Sequence, residues 1–247
     1  MSDQQPKSLD IIGIKPVADS CRIVTQGTVD GAAAFLRRIC LPAAEEFGLL
    51  LKDKVSAWRA ANAIVIAQKA EQILKNQGRT GVHAHPRLVH EAVEKGSWHE
   101  DDLLQGYWAG LLASSCSDTG DDDSNILFMS ILDRLSRSQG QLIYHICTVS
   151  KKALSSAGWI GVTEALSLTI EQLTIVTGVS DVHRLDRELD HLRSMELIGG
   201  DFGTGGFRPE SLDADVTPKP LTLHLFVRCQ GFVGSPAEYW GLSGTDA

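Results

Sequence analysis

No apolar run in this chain approaches the roughly 20 residues that a membrane-spanning helix needs. Stretches such as Ala63–Ala67 give little more than one helical turn. A membrane span is therefore not expected. The first twenty residues carry Asp3, Asp10 and Asp19 and lack a continuous apolar core, which excludes a secretory signal. Cysteines are few and odd in number: Cys21, Cys40, Cys116, Cys147 and Cys229. Their spacings are long and none forms a C-x-x-C pair, so a disulfide framework or a zinc site is not expected. They read as small apolar core residues of a protein in the reducing cytoplasm.

Catalytic signatures are missing as well. There is no G-x-S-x-G, no H-E-x-x-H and no kinase set. The run Gly203-Thr204-Gly205-Gly206 lacks the Lys-Ser/Thr of a phosphate loop, and no helix follows to aim its amides at an anion. His83, His85 and His90 find no carboxylate or Cys at a spacing that completes a metal site. Asp121-Asp122-Asp123 lacks the alternating ligands and distant Glu of a calcium loop. His99-Glu100-Asp101-Asp102 gathers acid and base groups, but side by side at a helix start, where they serve the helix dipole. The chain reads as non-enzymatic, with no cofactor.

Positive charge is short: Lys plus Arg is 23 against 31 Asp plus Glu, a net of −8. Up to Val82 the count is 11 basic to 8 acidic; from Gly161 onward it is 6 to 13. Nucleic-acid binding requires a basic face to displace counterions from phosphates. Nucleic acid is therefore a disfavoured partner.

What is present is an ordinary globular composition. The chain has 247 residues, 43% hydrophobic and 22% charged, enough for one large domain or two small ones. Residues 1–29 read as a flexible tail. Asp30 suits an N-cap for an Ala-rich helix ending before Pro42. From Pro42 to about Asn76 nothing stops a helix of roughly 50 Å. Its predicted apolar stripe is Phe47, Leu51, Val55, Trp58, Ala61, Val65 and Ile73. Ser97 with Glu100 has the form of a capping box before the face Leu103, Leu104, Trp108, Leu111 and Leu112. Helices at about 125–135 and 138–149 complete a bundle over 30–150.

Residues 150–168 are weakly patterned. A second unit follows over 163–231. Thr169 with Gln172 caps a short helix, Thr177-Gly178-Val179-Ser180 turns, and Asp181–Leu197 forms a longer helix. A strand-like passage from Ile198, the glycine tip and a return over Leu221–Val227 complete the order of a winged helix-turn-helix. Residues 232–247 read as a second tail. The expected class is mainly α: a helical bundle with one long helix, then a winged-helix-like α+β unit.

Two sets of residues follow as candidate sites. The long helix has more apolar face than a small bundle covers, so Phe47, Leu51, Val55 and Trp58 are assigned to self-association, most simply as a dimer, or to a protein partner. A winged helix would contact DNA through Arg184, Arg187 and Arg208. Yet the 181–197 helix holds three basic residues against five acidic ones. A basic side of the long helix, with Lys52, Lys54, Arg59, Lys69 and Lys75, offers a third reading, a toxic effector at the membrane surface.

Three stretches together carry a resemblance. They are Pro42-Ala43-Ala44-Glu45-Glu46-Phe47-Gly48 leading to Trp58-Arg59, then His99 to Gln105 with Tyr107-Trp108-Ala109-Gly110-Leu111-Leu112-Ala113, and Ile131-Leu132-Asp133-Arg134-Leu135-Ser136. The chain resembles the bacterial abortive-infection alpha family from about 32 to about 231. The resemblance implies a role in bacterial defence against phage. It brings no catalytic residues.

Overall fold

The computed structural model describes residues 26–40, 54–200 and 213–242. The described chain is mainly helical. Helix α1 (Gln26–Ile39) is followed by α2 (Lys54–Asn76), the antiparallel pair β1 (His83–Ala84) and β2 (Cys116–Ser117), and between these α3 (Pro86–Gly96) and α4 (Asp102–Ser114). Then come α5 (Ile126–Leu132), α6 (Arg137–Val149) and the antiparallel hairpin β3 (Lys152–Leu154) with β4 (Ile160–Val162). Strand β5 (Ser167–Thr169) leads into α7 (Ile170–Thr177) and α8 (Val182–Ser194); β6 (Asp213–Asp215), α9 (Pro220–Cys229) and α10 (Pro236–Tyr239) close the order.

Helix α4 is the centre of the bundle. It is buried along almost its whole length, and Trp108 is fully buried. Helices α2, α3 and α9 pack against it, and α1 packs on α2. Two glycines allow the close approaches. A Cβ on Gly96 would stand 2.9 Å from Ile66 Cδ1 and 3.1 Å from the Trp108 ring. A Cβ on Gly110 would stand 1.8 Å from the Cys229 carbonyl oxygen. At the C-terminal end of α4, Arg79 donates to the carbonyls of Ala113 and Cys116, supplying the cation that a helix C-terminus favours. One continuous hydrophobic cluster runs from Ala32 to Cys229.

The face that α2 buries differs from the expected stripe. Ala60, Ala63, Ile64, Ala67, Ala70 and Leu74 are buried, whereas Ala61, Val65 and Ile73 are half-buried and Trp58 is exposed. The helix packs on α1, α3 and α4 at once, so no single stripe had to be apolar, and alanines let the neighbouring backbones come close. The described helix is 23 residues, ~35 Å at the α-helical rise. The residues between Pro42 and Asp53, including Phe47 and Leu51, lie outside the described residues.

Four other boundaries are corrected. Helix α1 begins at Gln26, so Asp30 is an interior residue rather than a cap. Ser97 is the C-cap of α3; Asp101 caps α4 by accepting the amides of both Leu103 and Leu104. Asp181, expected as the first residue of the longer helix, is instead the N-cap of α8, which runs from Val182 to Ser194. The return over Leu221–Val227 is helix α9, not a strand. Pro220 at its first position presets the helical φ, and a short apolar run does not by its period distinguish a strand from a buried helix.

Around α7 and α8 the expected pattern is present in its first half. Thr169 and Gln172 form a reciprocal capping box, and Gly178 ends α7 in the left-handed conformation at φ 70°. Strand β5 pairs antiparallel with β6, Leu168 opposite Ala214, and Ile198 bridges Pro218. Helix α6 packs against both α7 and α8. The glycine tip and Arg208 lie outside the described residues.

Candidate functional site

Two surfaces hold the sequence-predicted site residues whose side chains are described, Trp58 on one and Arg184 with Arg187 on the other. The first is at the start of α2. Trp58 is 38% exposed and meets Trp98, 53% exposed, edge to face at 6.1 Å between ring centroids. Arg59 lies over the Trp98 ring at 4.4 Å. It is fixed there by three contacts: Nε donates to Ser97 Oγ at 3.0 Å, Nη2 to the Glu94 carbonyl at 2.8 Å, and the guanidinium pairs with Glu94 at 2.7 Å. Trp58 Nε1 donates to Glu100. Asn62 reaches the Ser97 carbonyl at 2.9 Å from below. Two large rings and a stacked guanidinium are thus held rigidly at the surface. Sequence reasoning named Trp58 here. It placed Arg59 on the basic side of the same helix and missed Trp98 as their companion, because Trp98 lies 40 positions further along the chain and no periodicity records that contact. The backbone of Val55 lies in α2.

The run His99-Glu100-Asp101-Asp102 is absorbed by structure. Glu100 accepts from Trp58, Asp101 pairs with Arg137 at 2.8 Å, and Asp102 pairs with Lys69 at 2.8 Å. His99 stacks on Trp108 at 6.1 Å, and burial lowers its pKa against the opposing pull of Asp133 and Asp101. The described cations of the basic side of α2 are likewise paired: Arg59 with Glu94, Lys69 with Asp102, Lys75 with Glu71. Among the described residues no helix is long and apolar enough to cross a membrane.

The second surface is the outer face of α8. Val182, His183, Arg184 and Arg187 are exposed. Four of the five acidic residues of the 181–197 stretch have partners, whereas Asp186 Oδ1 is buried without a hydrogen bond among the described residues. Asp181 caps the helix. Glu188 accepts from Ser136 Oγ and Ser138 Oγ, each at 2.5 Å, and pairs with Arg184 at 3.0 Å. Burial alone would raise the Glu188 pKa; the two hydroxyls and Arg184 overcome that and hold it below the ordinary glutamate value. Asp190 pairs with the buried Arg193 at 3.2 Å, and Glu196 pairs with Lys219. Burial, with Asp190 beside it, raises the Asp186 pKa. Two of these pairs, Glu188 with Arg184 and Asp190 with Arg193, lie within the 181–197 stretch and leave its acidic excess unchanged, while Lys219 adds a cation from outside it.

The remaining candidates stay structural. His83 sits in β1 opposite Ser117, and the described residues contain no group of three or more His, Cys, Asp or Glu placed to hold a metal. Cys40, Cys116, Cys147 and Cys229 are free and buried, and burial pushes the thiols of Cys116 and Cys147 up to about 11 and about 12. Such thiols stay protonated and inert.

Comparison with known proteins adds one finding. The family model described as Abortive infection alpha matches residues 61–210, more than half of the chain. No curated protein and no solved structure matches.

Proposed function

The chain belongs to the abortive infection alpha family, and from that premise we propose that it serves abortive-infection-type defence as a non-enzymatic interaction protein. The family match carries the defence reading. The mechanism is self-association through the start of α2, with a second copy as the partner. Trp and Arg dominate the energetics of protein interfaces when they are held rigidly and then desolvated. Trp58, Trp98 and Arg59 supply that set, and the apolar positions Phe47, Leu51 and Val55 precede them on the same stretch of sequence. The test is a phage challenge of bacteria expressing the chain. Protection at low phage dose with culture collapse at high dose is expected. Absence of protection against a broad panel, with the protein expressed and folded, overturns the reading.

A second reading is a winged-helix DNA-binding regulator. It is favoured by the antiparallel pairing of β5 with β6, the Ile198–Pro218 bridge, and the exposure of Arg184 and Arg187 on α8. Arg184, Arg187 and Arg208 would then meet phosphates. It predicts binding to duplex DNA that falls steeply with salt and weakens in Arg187→Ala. No binding at low salt removes it.

A further inference from the structure

Away from both surfaces, a cleft of about 430 Å³ opens between α2 and α4, bounded also by Tyr144 of α6 and by Cys229 and Gln230 at the end of α9. Small-molecule sites commonly occupy roughly 300–1,000 Å³.

Gly106 gives the first sign that something enters. It stands in the interior of α4 and lines the cleft, and among the described residues no atom beyond its chain neighbours and its own helix backbone lies within 4 Å of where its Cβ would be. Glycine weakens a helix interior. Gly110, one turn further on, is required by the Cys229 carbonyl. Among the described residues no neighbour requires Gly106; its missing side chain only widens the cleft.

The polar lining gives the second. Gln72 donates to Asn76 Oδ1 at 2.7 Å. That bond leaves the Gln72 carbonyl oxygen as an acceptor and the Asn76 amide as a donor, side by side on one helical turn. Gln230 adds a third amide. The charged groups at the cleft cancel: Lys69 is held by the Asp102 carboxylate at 2.8 Å and its carbonyl at 2.9 Å. Such a site favours an uncharged ligand with both donors and acceptors on one edge. Tyr144, half exposed at 47%, offers an aromatic face.

We propose that this cleft binds an uncharged nucleoside, its base read by the Gln72–Asn76 amides and its ring laid against Tyr144. Side-chain amides pair in two-bond fashion with the edge of adenine, and bases stack on aromatic side chains. Adenosine is therefore the preferred form. This inference does not rest on the self-association reading.

The test is calorimetric titration of the full chain with adenosine, guanosine, cytidine, uridine and ATP. Saturable binding of adenosine in the micromolar to millimolar range, tighter than that of ATP, is expected. Gly106→Leu fills the cleft and abolishes binding, with the helical circular dichroism retained. Asn76→Ala, at an exposed position, weakens binding about tenfold, the loss of roughly one good hydrogen bond. Failure of every nucleoside to saturate the native chain overturns the proposal. So does adenosine binding that survives both substitutions, or tighter binding of ATP than of adenosine.

Discussion

Gly110 of α4 and Cys229 of α9 touch backbone to backbone: a Cβ at position 110 would lie 1.8 Å from the Cys229 carbonyl oxygen. No rotamer change relieves a clash with backbone. The contact joins the central helix of the bundle to the helix that follows β6, so the two halves of the sequence meet there. Gly110→Ala is expected to lower unfolding stability by about 3 kcal/mol or more, since overpacking here must displace a whole helix. Urea unfolding followed by circular dichroism measures it. Gly106→Ala, in open space on the same helix, is the control; it should raise stability by up to about 1 kcal/mol. Equal effects at the two positions would refute the packing argument.

His99 makes stability depend on pH near neutrality. Burial against Trp108 lowers its pKa below the ordinary value of 6.5, and Asp133 and Asp101 only partly oppose this. The unfolded chain therefore takes up the proton first. The stability due to His99 is fully present above pH 6.5 and is lost as pH falls through the lower folded-state value. The urea midpoint of the native chain should fall between pH 7.5 and pH 5.5. In His99→Gln that fall should shrink, whatever the variant's own stability. Parallel curves for the two proteins would show that another group titrates.

Glu188 gives the opposite end of the scale. Ser138 and Ser136 donate to its carboxylate, each at 2.5 Å, and with Arg184 they outweigh the burial that would raise its pKa. A depressed carboxylate stabilises the fold above its unfolded pKa, and that contribution disappears as pH falls through the folded value. Ser138→Ala removes one donor and leaves the Ser136 cap of α6 in place. It should cost about 1 kcal/mol at neutral pH. The cost should fade below the ordinary glutamate value of 4.5, where the proton satisfies the carboxyl instead. A cost that stays constant across pH would place the effect of Ser138 elsewhere.

These two groups also show which features the sequence carried and which it did not. Local chemistry was legible: Thr169 with Gln172, the turn at Gly178 and the buried face around Trp108 all follow from spacing. The capping box of Ser136 with Gln139 was equally readable, being the same motif. Ser97 with Glu100 fits that motif too, yet the cap is Asp101, because its carboxylate accepts two amides while Ser97 is drawn inward to Arg59 and Asn62. Tertiary contacts decided the rest. The acids of the 181–197 stretch count as an excess along the chain, and only the structure shows that Ser136 and Ser138 reach Glu188 from α6 and that Lys219 reaches Glu196. Trp58 could be named from its helix; Trp98 could not be joined to it, since no pattern spans the 40 residues between them.

That pair supplies the last prediction. An exposed Trp58 and Trp98 meeting edge to face, with Arg59 pinned over the second ring by Glu94 and Ser97, form an aromatic surface with little side-chain entropy left to lose on docking. If a second copy covers it, light scattering of the native chain should give a mass above 26.7 kDa that rises with concentration. Trp58→Ala combined with Trp98→Ala should return the monomer mass. Both rings stand partly in water, so the variant should keep its helical circular dichroism. Arg59→Lys keeps the charge but loses the planar stack and the forked contacts, and should weaken association by about 1–2 kcal/mol, roughly tenfold. A native chain that runs as a monomer at every concentration would overturn self-association through this surface, and the DNA titration would then take precedence.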